Sequence, residues 1–282
     1  MGLATLDLVY LAGKPPGENQ KVVASDCTIA AGGPAANAAV TFSYLGNAAV
    51  WAGVLGTHAI AQLIRADLAE YNVRIIDLEP GRSHSPPVSS IIVTEATGDR
   101  AVVSINATKS QVDPQAINQD ILTSVNIVLL DGHQIAASQE IAQLAQSKNI
   151  PILLDGGSWK PGLKEILPFI EWAVCSDNFH PPNCYNSEQV FAYLSTAGIS
   201  HIAITRGKKS LLYLSNGSYG TIEVPQIKAT DTLGAGDIFH GAFCHYILQN
   251  NNFTDTLTAA AKIAAHSCKK FGTRGWMNKG EF

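Results

Sequence analysis

The chain of 282 residues is long enough to bury a full core, and 46% hydrophobic against 15% charged residues is the balance of a compact protein rather than a disordered tail. A formal net charge of -4 gives no general attraction to nucleic acid or anionic lipid, so any anionic ligand has to be held locally. The five scattered cysteines, Cys27, Cys175, Cys184, Cys244 and Cys268, contain no CxxC pair, which is poor material for a zinc site or disulfide framework and fits a reducing, cytoplasmic setting.

The N-terminal run Met1-Gly2-Leu3-Ala4-Thr5-Leu6-Asp7 has no basic region, and Asp7 interrupts its apolar stretch, so it makes a poor signal peptide. No apolar stretch approaches the roughly 18 residues of a membrane span. Short alternating runs at residues 21–29 and 89–103, the second broken by the turn-rich Ala96-Thr97-Gly98-Asp99, predict hairpin-like strands. They form a small β layer, with strands from about 11–30 and 85–106, that is either a lid over a site or a decorative hairpin. From about residue 110 the rhythm changes to apolar runs at 125–130 and 151–154 alternating with helical patterns at 136–146 and 163–170. An apolar run at 199–205 and helical patterns at 235–249 and 255–270 complete the series. Such alternation predicts βαβ units, whose parallel strands are buried on both faces, in one α/β domain spanning 1–282.

The stretch that carries chemistry is Asp231-Thr232-Leu233-Gly234-Ala235-Gly236-Asp237, followed directly by a helical run. Small residues before a helix let backbone N–H groups converge on an anion, and the helix dipole adds to the attraction. Asp237 suits that helix start but repels a bound phosphate, a conflict resolved if Asp237 accepts a proton from an attacking hydroxyl. The amides of Gly234, Ala235 and Gly236 then stabilise the transferred phosphoryl group. Upstream, Gly32-Gly33-Pro34-Ala35-Ala36-Asn37 permits close approach of backbone to a ligand and places Asn37 one turn into a helix, although an Ala-rich packing helix with proline at its start accounts for everything except Asn37. No Walker A, GxGxxG or HExxH segment is present.

The heptapeptide at 231–237 resembles the DTxGAGD signature of the ribokinase-like (PfkB) family of carbohydrate kinases at every fixed position, and Gly32 to Asn37 resembles the family's GGxxxN segment. The resemblance runs over nearly the whole chain. It implies a three-layer α/β/α sandwich with a mostly parallel central sheet, a β lid that can mediate a homodimer, and phosphorylation of a sugar hydroxyl by ATP with Mg²⁺. By the same resemblance Asp7, Gly32, Gly33 and Asn37 bind the sugar, and the chain begins inside the family's first strand. Thr205-Arg206-Gly207 is similar to the TxG nucleotide turn, so Thr205, Gly207, Thr232, Gly234 and Gly236 fall on the ATP side. Asp231 and the carbonyl of Leu233 would hold a monovalent cation such as K⁺.

The Gly-Leu-Ala-Thr-Leu-Asp and GGPAA segments are nearest to ketohexokinase-like and sulfofructose-kinase-like branches, which favours a ketose-like substrate. One departure is the family's NxxE, replaced here by Ser176-Asp177-Asn178-Phe179, which implies a changed water network around magnesium with Asp177 or Asn178 as substitutes. Asp131, His133 and Asn106 are further sugar-side candidates at strand ends, with helix capping an equal reading for Asp131. Arg274 either serves ATP phosphates or solvates the tail. A nucleoside kinase of the same family and a catalytically silent sugar-binding homologue are the rival readings.

Overall fold

The computed structural model describes residues 1–105 and 111–277. In chain order the elements are β1 (Thr5–Ala12), β2 (Asp26–Gly32), α1 (Pro34–Tyr44), β3 (Val50–Gly53), α2 (Ala59–Glu70), β4 (Arg74–Asp77), β5 (Val88–Thr94) and β6 (Arg100–Ser104). They continue with β7 (Val128–Leu130), α3 (Ile135–Ser147), β8 (Ile152–Gly156), β9 (Trp172–Ser176), α4 (Ser187–Thr196), β10 (His201–Arg206), β11 (Lys209–Ser215), β12 (Ser218–Ile222), α5 (Ala235–Ile247) and α6 (Phe253–Ser267).

The main sheet runs β12-β11-β10-β9-β8-β7, with β7 to β10 parallel and the β10-β11-β12 edge antiparallel. Its central strands are apolar throughout because each face meets helices. Ile152 and Leu154, Ala173 and Cys175, and Ile202 and Ile204 join a core with Ile141 of α3 and Leu194 of α4. The alternate residues Leu153, Val174 and Ala203 join a second core with Phe239 and Phe243 of α5 and Leu257 of α6. This is the period of two with both sides covered, each large side chain contributing roughly 2 kcal/mol of burial. The result is a three-layer α/β/α sandwich.

The segment 163–170, expected as a helix, forms only two short 3₁₀ turns, Leu163–Glu165 and Leu167–Phe169. Gly162 enters at φ 87°, and Pro168 has no N–H to give and would clash with the carbonyl four residues back. The smaller sheet runs β2-β1-β5-β6, with β5 and β6 forming the hairpin. Its strand β1 starts at Thr5, so Asp7 sits early in a strand of this sheet. Met1 and Gly2 bridge to the main layer: the Met1 amine donates to Leu129 O at 2.8 Å and Gly2 N to Ala52 O at 3.0 Å. A cleft of about 390 Å³ lies beside them at the N-terminal ends of β3 and β7, lined by Phe42, Val50, Val128 and Ile141 among others. The residues considered below gather instead at the C-terminal strand ends, where ligands bind in open parallel sheets.

Two helices set the position of the site. Gly241 on α5 lies against α1 so closely that a methyl group there would run into Ala38 O and the Thr41 side chain. That approach brings Asn37, one turn along α1, face to face with Asp237 at the start of α5.

Candidate active site

Residues 231–237 form the turn that starts α5. Gly234 caps the helix in the left-handed conformation at φ 68°, and a Cβ there would press to 2.8 Å on the Thr273 methyl. The amides of a first helical turn have no acceptor within the helix, so those of Gly236 and Asp237 present donors together with the positive end of the dipole, while Ala235 N reaches back to Thr232 O at 3.4 Å. Asp231 braces this turn: its Oδ1 accepts from Leu233 N at 2.8 Å and its Oδ2 from Gly272 N at 2.9 Å. The Thr232 hydroxyl turns to the smaller sheet, accepting from Arg100 Nη1 at 2.9 Å and donating to Gly98 O at 3.4 Å.

Asp237 accepts a 2.8 Å hydrogen bond from Asn37 Nδ2. Burial pushes its acid up to about 7, the nearby Asp155 carboxylate pushes the same way, and the Asn37 amide and His240 oppose them. Asp155, at the end of β8, is itself buried, which raises its acid, and its Oδ2 has no hydrogen-bond partner. His240 stands 3.6 Å from that oxygen, with Nδ1 at 2.7 Å from Gly236 O and Nε2 at 3.0 Å from Val174 O. The ring thus pins the first turn of α5 onto the middle of β9.

On the other flank, Asp7 is buried and accepts from Thr5 Oγ1 at 2.6 Å. Burial raises its acid, while Thr5, Ser89 and Arg274 pull it down. Gly32 lies directly against the Asp7 carboxylate, leaving no room for a Cβ, and Gly33 at φ 91° packs on Leu3 O. Asp131 is spent on backbone: it accepts from Leu3 N at 2.8 Å, Ala35 N at 3.3 Å and His133 N at 3.0 Å. Burial alone would raise its carboxyl, yet the His133 ring and these donors hold it well below the usual range. Asp131 and His133 therefore tie the end of β7 to the N-terminal segment and to the start of α1. Asn106 lies outside the described residues.

Thr205 and Gly207 sit where β10 turns into β11, with Thr205 Oγ1 donating to Cys175 O at 3.3 Å and Gly207 at φ 59°. After β9, Asp177 and Asn178 are exposed, whereas Phe179 is 1% exposed and packs edge-on to Trp159, so a core aromatic occupies the position of the family's acid.

Two arginines complete the arrangement that sequence reading did not place. Arg100 reaches from β6 to Thr232; nothing in its exposed, alternating strand marked it. Arg274, read as serving ATP phosphates or the tail, instead turns inward at 11% exposure and donates to Asn37 Oδ1 at 2.9 Å.

A family model described as pfkB family carbohydrate kinase matches residues 1–279. The ribokinase of Bacillus subtilis (strain 168) is 24% identical over 280 residues, covering 98% of this chain and 94% of its own. The solved ribokinase of Thermotoga maritima superposes with a TM-score of 0.81 at 18% identity, covering 98% of this chain and 94% of that one. The Arabidopsis thaliana ribokinase complexed with ribose and ATP gives 0.76 at 20% identity, with 96% and 92% covered.

Proposed function

The chain belongs to the pfkB family of carbohydrate kinases, and we propose that it transfers the γ-phosphoryl group of ATP to a hydroxyl of a small ring-form sugar, with Asp237 as general base. The observation that carries this is the Asp237 carboxylate, hydrogen-bonded to Asn37 Nδ2 at 2.8 Å at the start of α5 beside the Gly236 amide, where burial raises its acid to about 7. A base near 7 is matched to taking a proton at neutral pH.

Asp237 takes the hydroxyl proton as the sugar oxygen bonds to the γ-phosphorus and the bond to the bridging oxygen breaks, releasing ADP. The Gly234, Ala235 and Gly236 amides stabilise charge on the moving phosphoryl oxygens. Asp7, Gly32, Gly33 and Asn37 hold sugar hydroxyls, with Asn106 as a further contact, while Asp131 and His133 keep the glycine turn in place. ATP lies along Thr205, Gly207 and Thr232. Magnesium, when bound, neutralises phosphate charge. The unpartnered Asp155 oxygen and the exposed Asp177 carboxylate at neighbouring strand ends fit it through water, and Asn178 adds a neutral oxygen. Potassium would lie against Asp231, each of whose oxygens keeps a lone pair beside its amide bond, and the Leu233 carbonyl.

The sheet β2-β1-β5-β6 acts as the lid, held by Arg100 on Thr232, and its exposed Ile29 and Val103 support a homodimer through that sheet. Five free cysteines, four of them buried, support a reducing, cytoplasmic setting. Among the described residues no helix is long and apolar enough to cross a membrane. A ketose-like acceptor follows from the segments at residues 2–7 and 32–36, and the ribokinase relatives make ribose the first aldose to set beside it.

The test is ADP release with magnesium and potassium across ketoses, aldoses, sulfosugars and nucleosides. Turnover led by a ketose is expected. Turnover led by ribose would overturn the ketose preference, by a nucleoside the small-sugar reading, and sugar binding with no turnover the proposed transfer.

A further inference from the structure

Asn37 and Arg274 are 237 positions apart in sequence, yet one amide side chain joins Arg274 to Asp237. We propose that Arg274 is a positioning residue that fixes which way round the Asn37 amide stands, and so keeps an N–H donor on the Asp237 carboxylate. The inference rests on Asp237 being the base.

A terminal amide rotated by half a turn has nearly the same shape but exchanges its oxygen for its nitrogen. In the rotated state the Asn37 oxygen would face the Asp237 carboxylate, two acceptors together. Guanidinium carries five donors and no acceptor, so only the amide oxygen can face Arg274 Nη1, at 2.9 Å, and the nitrogen is left for Asp237, at 2.8 Å. Arg274 cannot turn away either. Its Nη2 donates to Ala31 O at 2.7 Å and to Asp67 Oδ2 at 3.0 Å, Nη1 also reaches Thr273 Oγ1 at 3.1 Å, and the group lies 5.4 Å over the Tyr71 ring. Asp67 lies in the last turn of α2 and Tyr71 caps its C-terminus, so this helix acts on the site through the arginine. The planar fork matters as much as the charge, since a lysine could meet Asp67 but not hold Ala31 O and Asn37 together.

The other groups around Asp237 are fixed by different contacts. Asp155 from β8 and Asp7 from β1 push its acid up, and His240 from α5 opposes them. Asn37 is the donor that Arg274 controls, so loss of Arg274 raises the acid further. The acid limb of kcat moves to higher pH by about one pH unit, the scale of one hydrogen bond to a charged group.

The experiment compares wild type with Arg274→Gln, Arg274→Lys and Asp67→Asn by the pH profile of kcat and by ¹³C-carboxyl NMR titration of Asp237, which needs no turnover. Arg274→Gln is expected to lose about tenfold in kcat at pH 6.5 and far less at pH 9, with a matching upward move of the Asp237 titration. Arg274→Lys and Asp67→Asn keep the fold less disturbed and give smaller moves in the same direction. In an Asn37→Ala background none of these changes should move the titration further. An equal loss at every pH with the titration in place would reduce Arg274 to a structural ion pair and overturn the proposal. So would a move that persists without Asn37. If the titration moves as expected in a protein that phosphorylates no sugar, the positioning stands and the kinase reading fails.

Discussion

The two flanks of the site are built from different material. The flank proposed for the chemistry rests on β8, β9 and α5, where alternate side chains are buried in two separate cores and even the polar side chains of Asp155 and His240 are closed in. The flank proposed for the sugar rests on β1 and β2, in a sheet that leaves Ile29 and Val103 open to solvent on one face. One flank fixes a carboxylate and a row of amides to within hydrogen-bonding tolerance. The other, the proposed lid, is joined to the first through Arg100 and Asn37.

Substitutions that respect or violate this division sharpen it. Gly32→Ala inserts a methyl into the Asp7 carboxylate, so the KM for sugar should rise more than tenfold in steady-state assays while the KM for ATP stays within about twofold. Equal loss on both substrates would mean that the flanks are not separable. The base gives the next effect. Asp237 works deprotonated, so kcat should climb about tenfold from pH 6 to pH 8 through its value of about 7.

The stability sign runs the other way. A carboxyl raised in the folded state binds its proton more tightly there than when unfolded, so its contribution is full below the unfolded value near 4 and is lost as pH rises to about 7. Asp237→Asn should therefore melt higher than wild type at pH 8, and the gap should narrow at pH 5, as read by calorimetry. Arg100→Ala removes an exposed lid contact and should lower kcat/KM by about threefold to tenfold without changing the acid limb. Val103→Thr, on the open face of the lid sheet, should shift unfolding free energy by less than about 0.5 kcal/mol in urea titration.

Much of the chemical flank was legible because its signals are local. A glycine-rich turn running into a helix, and apolar strands spaced by helical patterns, are read from neighbours in sequence, and α5, β8 and β10 lie within a few residues of the expected ranges. The segment 163–170 misled because its apolar spacing is helical while Gly162 and Pro168 forbid the backbone. Asp131 was legible as a strand-end residue, with a sugar contact and helix capping as equal readings, and only the fold brings the Leu3 and Ala35 amides to it. Arg274 looked like tail because its partners, Ala31, Asn37 and Asp67, come from three elements more than 200 positions away. Local pattern finds the glycine turn at the start of α5; it does not find the long-range contacts around Asp237 and Asn37.

The most direct measurement is ³¹P NMR of the sugar phosphate formed by wild type and by Asp237→Asn under the same magnesium, ATP and sugar concentrations. The account predicts product from wild type, a loss of about 10³-fold or more in Asp237→Asn, and sugar affinity kept in both. Product formed by Asp237→Asn at a rate within tenfold of wild type would contradict the assignment of Asp237 as the base.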